Sequence, residues 1–504
     1  MGGRTLSKSK ILAYRQCEKR LWLEVHQPGK REDSEAAKAR FSAGHQVGDI
    51  ARSLYDAKGV GALLDPLQEG FDAAFKRTGE LLGGRAPIFE AGFKIPGALA
   101  FADVMLPVGR SGKRMWRMVE VKSSTSVKDY HHDDAAIQAH VARASGVPLA
   151  GVAIACIDSK WIYPGKQDYS GLLVETDVTD SAFDRAGEVE TWIKGAHGVV
   201  ALDREPQVRM GEHCKKPFEC GFSEYCRGLA PKAKHPLDQL PGRWNKDLMA
   251  HVEANGTTEL SEVPDALLTK PQLRVKSAAL SGKPWFDRKG AAVELAGHGR
   301  PAYFLDFETI QFAIPIWKGT QPYQQIPFQF SVHSLSRTAK VSHCEFLDLD
   351  GGDPSKALAK ALIAACGKRG PVFAYNAGFE KGRIRELAAR FKAMAAELLA
   401  IESRVIDLLP IAREYYYHPS QFGSWSIKAV LPALCPEPRF SYESLAGVQD
   451  GAMAMEAYVE AISDGTTLDR REQIRRELLD YCRLDTRGLM QLWSVFSGNP
   501  LGVE

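Results

Sequence analysis

Residues 302–308 read AYFLDFE, and this short stretch decides how the second half of the chain is expected to fold. The run from Ala302 to Phe307 is apolar and β-prone, which predicts a strand in a core. Side chains two residues apart on a strand point to the same face, so Asp306 and Glu308 would lie side by side. Neighbouring carboxylates repel each other unless a cation lies between them. The alternative, two unrelated acids on an exposed edge strand, conflicts with the apolar flanks.

Two further strings in the second half extend this pattern. Residues 376–380 read NAGFE, follow a predicted strand and open a predicted helix, so Glu380 is a candidate metal ligand. Asn376, in the same string, is a candidate for positioning a phosphate or a water. The plain alternative for Glu380 is a solvated acid in the first turn of a helix. Asp407 stands within the apolar run VIDLL, where a surface acid is not expected.

The last string lies on a long helix predicted from Arg470 to Phe496. Tyr481 and Asp485 are four residues apart on this helix and therefore face the same way. Asp485 can bind a metal while the phenol of Tyr481 orients an attacking water. Paired metals suit the hydrolysis of phosphodiesters. The expected ligands of Mg²⁺ or Mn²⁺ are Asp306, Glu308, Asp485 and either Glu380 or Asp407.

A second acidic cluster is expected in the first half of the chain. Asp103 ends a short predicted strand, and Glu120 and Lys122 share one face of the next strand. The two carboxylates can hold a metal, and the ammonium group can stabilise the charge that develops on a phosphate. The alternative is a surface strand with an ordinary Glu/Lys pair.

Four of the nine cysteines bracket this half. Cys17 lies in a helix predicted from Ser7 to Glu24, and Cys214, Cys220 and Cys226 form a Cys-x5-Cys-x5-Cys run. In a chain without an export signal, clustered cysteines indicate a metal or a cluster before disulfides. A zinc site with four cysteine ligands is one alternative, and ordinary buried thiols are another.

Length and composition limit the remaining possibilities. A chain of 504 residues predicts two or three domains, here residues 1–232, a helical middle segment at 233–297, and residues 298–504. The net charge of +3 neither demands nor excludes a nucleic-acid partner, because a local basic groove is sufficient. No run of 18 apolar residues and no signal peptide are found, so a cytoplasmic protein without a membrane partner is expected.

The strings of the second half, in this order, resemble those of the DnaQ-like 3′→5′ exonucleases, the DEDD group with a ribonuclease-H-like fold. Tyr481-x-x-x-Asp485 resembles the tyrosine subgroup, while Glu380 departs from the family, which has Asp there. The resemblance implies a substrate near Trp425 and Lys428, with a terminal base stacked on Trp425.

The first half resembles the iron–sulfur branch of the RecB-like PD-(D/E)xK nucleases, which includes CRISPR-associated exonucleases and the AddB subunit. The resemblance implies a restriction-endonuclease-like domain, a DNA contact through Gln138, and a 4Fe–4S cluster on the four cysteines. Two departures are Gly48 at the position of a metal-binding His and Ala142 at that of a Tyr. The middle segment faintly resembles helix-hairpin-helix modules, although a helical spacer is the favoured interpretation.

Taken together, the sequence predicts an α/β chain with two tandem nuclease domains that acts on DNA ends. The pair of domains resembles a bacterial family catalogued only as a domain of unknown function. Two alternatives stay open. In the first, the chain is a DNA-binding module or complex subunit in which only the second half cuts. In the second, it is an exonuclease that trims RNA. The sequence does not indicate which proteins, if any, the chain binds.

Overall fold

The computed structural model describes residues 5–109, 114–229 and 232–501. Residue contacts divide the chain into two compact units, here called the first unit (residues 1–230 and 312–324) and the second unit (residues 231–311 and 325–504). The middle segment at 233–297 therefore lies within the second unit. Residues 312–324, expected in the C-terminal domain, lie within the first. Among the described residues, no helix is long and apolar enough to cross a membrane.

The first unit is built on a mixed sheet covered by helices. Its strands follow the order β2-β3-β4-β5-β6-β7, with β1 added beside β4. Neighbouring strands from β3 to β5 are antiparallel, while β6 is parallel to β5. The strands are β1 Leu6–Ser7, β2 Ala62–Leu63, β3 Ile88–Ile95, β4 Ala98–Val108, β5 Met115–Lys122, β6 Leu149–Ile157 and β7 Leu173–Asp177. The helices are α1 Lys8–Gln16, α2 Glu18–His26, α3 Glu35–Tyr55, α4 Pro66–Glu69, α5 Phe71–Leu81, α6 Asp129–Ala144, α7 Thr179–Asp184, α8 Ala186–Val200 and α9 Ser223–Leu229.

The prediction of one opening helix from Ser7 to Glu24 is wrong. The chain forms two helices, α1 and α2, because Cys17 between them adopts an extended conformation with φ −166° and ψ 125°. Of the apolar residues expected on the buried side, Leu21 and Trp22 are buried, whereas Leu12 and Tyr14 are partly exposed. The break removes Cys17 from the regular helix and lets its thiol point toward the other cysteines of the run.

The second unit contains a five-stranded sheet in the order β11-β10-β9-β12-β13 and a separate pair, β14 with β8. The first three strands of the sheet are antiparallel, and β12 runs parallel to β9 and β13. The strands are β8 Trp285–Phe286, β9 Ala302–Ile310, β10 Ile326–Leu335, β11 Val341–Leu347, β12 Val372–Ala374, β13 Val405–Asp407 and β14 Tyr416–Tyr417. The helices are α10 Lys246–Asn255, α11 Lys270–Ser281, α12 Arg288–Leu295, α13 Ser355–Ala365, α14 Gly378–Arg390, α15 Ala395–Glu402, α16 Leu409–Tyr415, α17 Ile427–Leu434, α18 Gly451–Ala461 and α19 Leu468–Ser497.

The central strand β9 confirms the expectation from AYFLDFE, since Phe304, Leu305 and Phe307 are buried. β12 pairs with β9 only at Tyr303 and Phe304. From residue 305 onward, this edge of β9 has no strand beside it among the described residues. The second half of β9, which carries the acids, is therefore open to side chains from the helices.

Helix α19 is fixed against β10 by buried polar contacts. The amide of Gln329 donates to the carbonyl of Leu478 at 2.7 Å, and the hydroxyl of Thr486 lies 2.7 Å from that of Ser331. The helix begins at the N-cap Thr467 and ends before Gly498, whose φ of 71° suits glycine. This anchoring sets the position of every side chain along the helix.

Candidate functional site

Three of the expected carboxylates come together in the second unit. Asp306 and Glu308 of β9 and Asp485 of α19 each place one oxygen within 4.8 Å of the other two. Glu308 and Asp485 are buried, and Asp306 is partly exposed. Among the described residues, no other group of three His, Cys, Asp or Glu side chains meets this distance. These three residues are called the carboxylate trio below.

The trio is under strong electrostatic repulsion. Burial, together with the charge of Asp485, raises the pKa of Glu308 to about 8. Burial also raises the pKa of Asp485 to about 6, and burial and the two neighbouring carboxylates raise that of Asp306 well above its usual range. A divalent cation between the oxygens would offset this repulsion, and oxygen ligands are what Mg²⁺ and Mn²⁺ prefer.

Glu380 is a fourth buried carboxylate beside the trio. It lies in the first turn of α14, is 3% exposed, and its Oε2 has no hydrogen-bond partner among the described residues. Burial raises its pKa to about 8, and its charge contributes to the raised pKa of Asp306. The interpretation of Glu380 as a solvated surface acid is therefore wrong.

Asp407 organises the turn that leads into α14. Its Oδ1 accepts hydrogen bonds from the backbone N–H groups of Asn376 and Leu409, both at 2.9 Å. Asn376 is exposed and has a φ of 63°, a left-handed conformation that asparagine tolerates better than most residues. The structure thus places Asp407 and Asn376 at the base of the helix that carries Glu380. Direct roles for them in metal or phosphate binding stay predictions.

Tyr481 and Lys428 complete the surroundings of the trio. Burial and the charges of Asp485 and Glu308 raise the pKa of the Tyr481 phenol, so this group keeps its proton. The ammonium group of Lys428 lies 5.1 Å from the centre of the Tyr481 ring and donates to the carbonyl of Gln449 at 2.7 Å. Its positive charge acts to lower the pKa of Glu308 and Asp485.

Two residues of this site were missed by the sequence reasoning. The hydroxyl of buried Tyr442 donates to Oδ1 of Asp485 at 2.5 Å. The thiol of Cys482 lies 3.6 Å from Oδ2 of Asp306. The loop position of Tyr442, 43 residues from Asp485, gives no periodic signal. Cys482 could have been noticed because it directly follows Tyr481.

Trp425 lies away from the surface. It is 7% exposed, its indole N–H donates to the carbonyl of Tyr416 at 2.9 Å, and its ring centre lies 5.2 Å from that of Tyr417. Protein groups therefore cover most of the ring that was expected to stack on a base.

In the first unit, the expected residues meet in a closed network of charges. Oε1 of Glu120 accepts hydrogen bonds from Lys122 at 2.7 Å and from Lys8 at 3.0 Å. Both lysines also pair with Asp134 of α6, with Lys8 at 2.9 Å. Lys8 and Asp134 were not singled out from the sequence, because they join the site only when α1 and α6 pack on the sheet. Two ammonium groups thus neutralise two buried carboxylates.

Asp103 lies beside Glu120 as the sequence predicts, whereas Gln138 is not at a surface where DNA could reach it. Asp103 lies beside this network and accepts the N–H of Val121 at 2.7 Å, and burial and the charge of Glu120 raise its pKa well above the usual range. Gln138 is fully buried and donates to the carbonyl of Phe101 at 3.0 Å. The side chain of Gln138 is therefore in no position to contact DNA in this structure.

The four expected cysteines line a single cavity in the first unit, together with apolar residues such as Leu23 and Phe222. Burial raises the pKa of Cys17, Cys220 and Cys226. Backbone N–H groups of Arg20 and Lys19 act in the opposite direction on Cys17, because they donate to its sulfur. Thiols that converge on one cavity and receive N–H donors form a donor set suited to a metal or a cluster. Cys344 does not line this cavity and is exposed.

The raised pKa values predict how stability depends on pH. Glu308 and Glu380 have a pKa of about 8 in the folded protein against an ordinary 4.5, so the metal-free fold binds more protons than the unfolded chain in this window. The stabilising contribution of these two carboxyl groups is complete below the ordinary pKa of 4.5, and it is lost as the pH rises through the folded-state pKa of about 8. Above about pH 7, where histidines have finished titrating in the unfolded chain, Tm should fall with pH and Mn²⁺ should restore it.

Thermal melting by circular dichroism, with and without Mn²⁺, measures this effect. Glu308→Gln should flatten the pH dependence of the metal-free protein, whereas Glu472→Gln, on the exposed side of α19, should not. An identical slope for Glu308→Gln and the unaltered protein would contradict the assignment.

The Tyr442 hydroxyl predicts a second effect, on metal affinity. Tyr442→Phe frees Asp485 from its donor and should weaken Mn²⁺ binding by about 10-fold or more, as is typical for partners of metal ligands. Isothermal titration calorimetry measures the change. Tyr458→Phe is the matched control, because the Tyr458 hydroxyl is buried without a hydrogen-bond partner among the described residues. Equal affinities of the two variants would show that Tyr442 does not position Asp485.

Comparison with known proteins identifies one family in this region. A family described as a domain of unknown function (DUF2779) matches residues 303–426, which contain Asp306, Glu308, Glu380 and Asp407. Tyr481 and Asp485 lie outside the matched residues. No curated protein matches the chain. At this level, the comparison agrees with the expected resemblance to a domain of unknown function.

Proposed function

We propose that the second unit is a metal-dependent 3′→5′ exonuclease that acts on DNA ends. The observation that carries the proposal is the carboxylate trio, whose three oxygens lie within 4.8 Å of one another beside the protonated phenol of Tyr481. Such a donor set, buried and mutually repelling, fits divalent metals better than any purely structural role. The strand order, three antiparallel strands followed by two parallel ones, supports a ribonuclease-H-like assignment.

The chain's own groups have separable tasks in this proposal. Asp306, Glu308, Asp485 and Glu380 would hold Mg²⁺ or Mn²⁺, which when bound supplies an activated water and stabilises charge on the phosphate. Tyr481 keeps its proton and can donate it in a hydrogen bond to the attacking water, which fixes the lone pair that attacks. Tyr442 holds Asp485 in one orientation. Lys428 adds a fixed positive charge beside the acids.

For the first unit, we propose a restriction-endonuclease-like domain, supported by the order β3-β4-β5-α6-β6 around Asp103, Glu120 and Lys122. One observation favours its role as a DNA-binding platform over a second nuclease. Lys8 and Lys122 already pair with Oε1 of Glu120 and with Asp134, so the protein itself supplies positive charge where a metal would bind. The second candidate function is therefore a chain in which only the second unit cuts.

A nuclease assay on end-labelled single- and double-stranded DNA with Mn²⁺ tests both proposals. Asp306→Asn removes a metal ligand and should reduce 3′→5′ cleavage by more than about 100-fold. This loss exceeds the one that is typical when a hydrogen-bond partner of a metal ligand is removed. Asp480→Asn, on the exposed side of α19, is the control and should cut normally. Retained 3′→5′ cleavage by Asp306→Asn would refute the proposed site.

The same assay separates the two roles of the first unit. If Glu120→Gln loses cleavage from the end that Asp306→Asn still cuts, the chain has two nuclease sites. If Glu120→Gln cuts like the unaltered protein, the first unit is a binding platform. Competition between matched DNA and RNA strands decides whether RNA trimming replaces the DNA activity.

We further propose that Cys17, Cys214, Cys220 and Cys226 bind a 4Fe–4S cluster. The donor set fits: four thiols line one cavity, and backbone N–H groups donate to the sulfurs of Cys17 and Cys220. Zinc holds its ligands at about 2.3 Å, which brings thiolates to roughly 4 Å from one another. Among the described residues, no three thiols approach within 4.8 Å, and this wider spacing suits a larger cluster.

Protein purified without oxygen should therefore be brown and contain about four irons per chain. Cys220→Ser should lose the colour and most of the iron, while Cys344→Ser, an exposed cysteine outside the cavity, should keep both. Visible absorbance and elemental analysis make the measurement. A colourless anaerobic preparation with stoichiometric zinc would replace the cluster with a zinc site.

A further inference from the structure

A cleft of about 970 Å³ lies within the second unit, at the base of the helix that carries Glu380. One wall comes from the middle segment, at Pro241 to Arg243 and Thr269 to Gln272. The opposite wall is formed by Asn376, Arg413 and the loop from Gly423 to Ile427. The middle segment, which was expected to be a spacer, is therefore part of a binding-sized cavity.

Contacts on both sides hold the walls of this cleft in place. The buried amide of Gln272 donates to the carbonyl of Pro241 at 3.1 Å, and Arg274 donates to the carbonyl of Arg413 at 2.6 Å. Gly423, at φ 78°, approaches so closely that an added Cβ would lie 1.9 Å from the carbonyl oxygen of Gln239. The cleft is thus formed in advance of any ligand, which lowers the entropic cost of binding.

The charges in the cleft favour an anion. Arg243 and Arg413 are exposed, and neither forms an ion pair with a carboxylate in the part of the chain that the structure describes. The acid in the lining, Glu414, is already paired with Lys270 at 3.2 Å and with Arg274 at 3.7 Å. Two uncompensated guanidinium groups, accompanied by the hydroxyls of Ser424 and Ser426, match the phosphates of a nucleic-acid backbone.

The cleft is continuous along the chain with the carboxylate site. Asn376 stands four residues before Glu380, and Ser426 is the N-cap of α17, whose second residue is Lys428. The hydroxyl of Tyr375 donates to the carbonyl of Trp425 at 2.7 Å and ties the two loops together. Residues that line the cleft therefore closely precede Glu380 and Lys428 in the chain.

We propose that the cleft binds the backbone of single-stranded DNA on the 5′ side of the nucleotide being removed, with Arg243 and Arg413 each contacting a phosphate. The inference rests on the proposed exonuclease function and adds the path of its substrate.

Steady-state removal of the 3′-terminal nucleotide from a labelled 12-nucleotide thymidine strand tests the proposal. Arg243→Ala and Arg413→Ala should each raise KM about 10-fold with less effect on kcat, because phosphate contacts away from the reacting atoms act mainly on binding. In the double variant, the slope of log KM against log salt should decrease by about 1.4, since single strands contribute about 0.7 per phosphate contact. Fluorescence anisotropy of the same strand without divalent metal should show matching losses of affinity.

Arg476→Ala is the matched control, because Arg476 is also exposed and has no ion pair among the described residues, but lies on α19 outside the cleft. Its KM should equal that of the unaltered protein. Normal cleavage with an unchanged KM and salt slope in the double variant would overturn the cleft and leave the exonuclease standing. The absence of 3′-end cleavage by the unaltered protein would instead overturn the proposed function. Unchanged anisotropy in the double variant would then overturn the cleft as well.

Discussion

The repulsion between buried carboxylates is the constraint on which the second unit depends. Asp306, Glu308 and Asp485 meet at one point, and Glu380 lies beside them without a hydrogen-bond partner for Oε2 among the described residues. Leaving such groups charged in a core is costly, so the surroundings supply partial compensation. Tyr442 donates to Asp485, and the positive charge of Lys428 acts on the same acids. The sheet contributes because α18 and α19 both pack against β9, the strand that carries Asp306 and Glu308.

The two units differ in how much positive charge accompanies their buried acids. In the second unit, one lysine accompanies four carboxylates, whose pKa values are raised mainly by burial. In the first unit, Lys8 and Lys122 face Glu120 and Asp134, and the pKa of Asp134 is lowered because the two ammonium charges outweigh its burial. A cation would relieve strain in the second unit, while in the first it would compete with groups already in place. This difference supports the proposal that the second unit carries the catalytic site.

Local breaks in regular structure place several of the functional groups. The extended residue Cys17 interrupts what would have been one helix. Its thiol lines a cavity together with three cysteines that lie more than 190 residues further along the chain. Asn376 adopts a left-handed conformation that starts α14 at the right point for Glu380 to face the trio. Gly423 allows a loop to touch the middle segment, which turns a spacer into a wall. Asn376 and Gly423 both have a positive φ, whereas Cys17 is extended.

The sequence by itself determined the strand that carries Asp306 and Glu308, the long final helix, and the pair of Tyr481 and Asp485 on it, because periods of two and four residues are local properties of a chain. It also determined the mixed α/β class and the grouping of the four cysteines. Tertiary structure alone decided that Tyr442 bonds Asp485, that Lys8 and Asp134 close the network around Glu120, and that Gln138 and Trp425 are buried. It also assigned residues 312–324 to the first unit. These outcomes depend on contacts between residues far apart in the chain, and the packing of helices on sheets, which no local pattern encodes, sets those contacts.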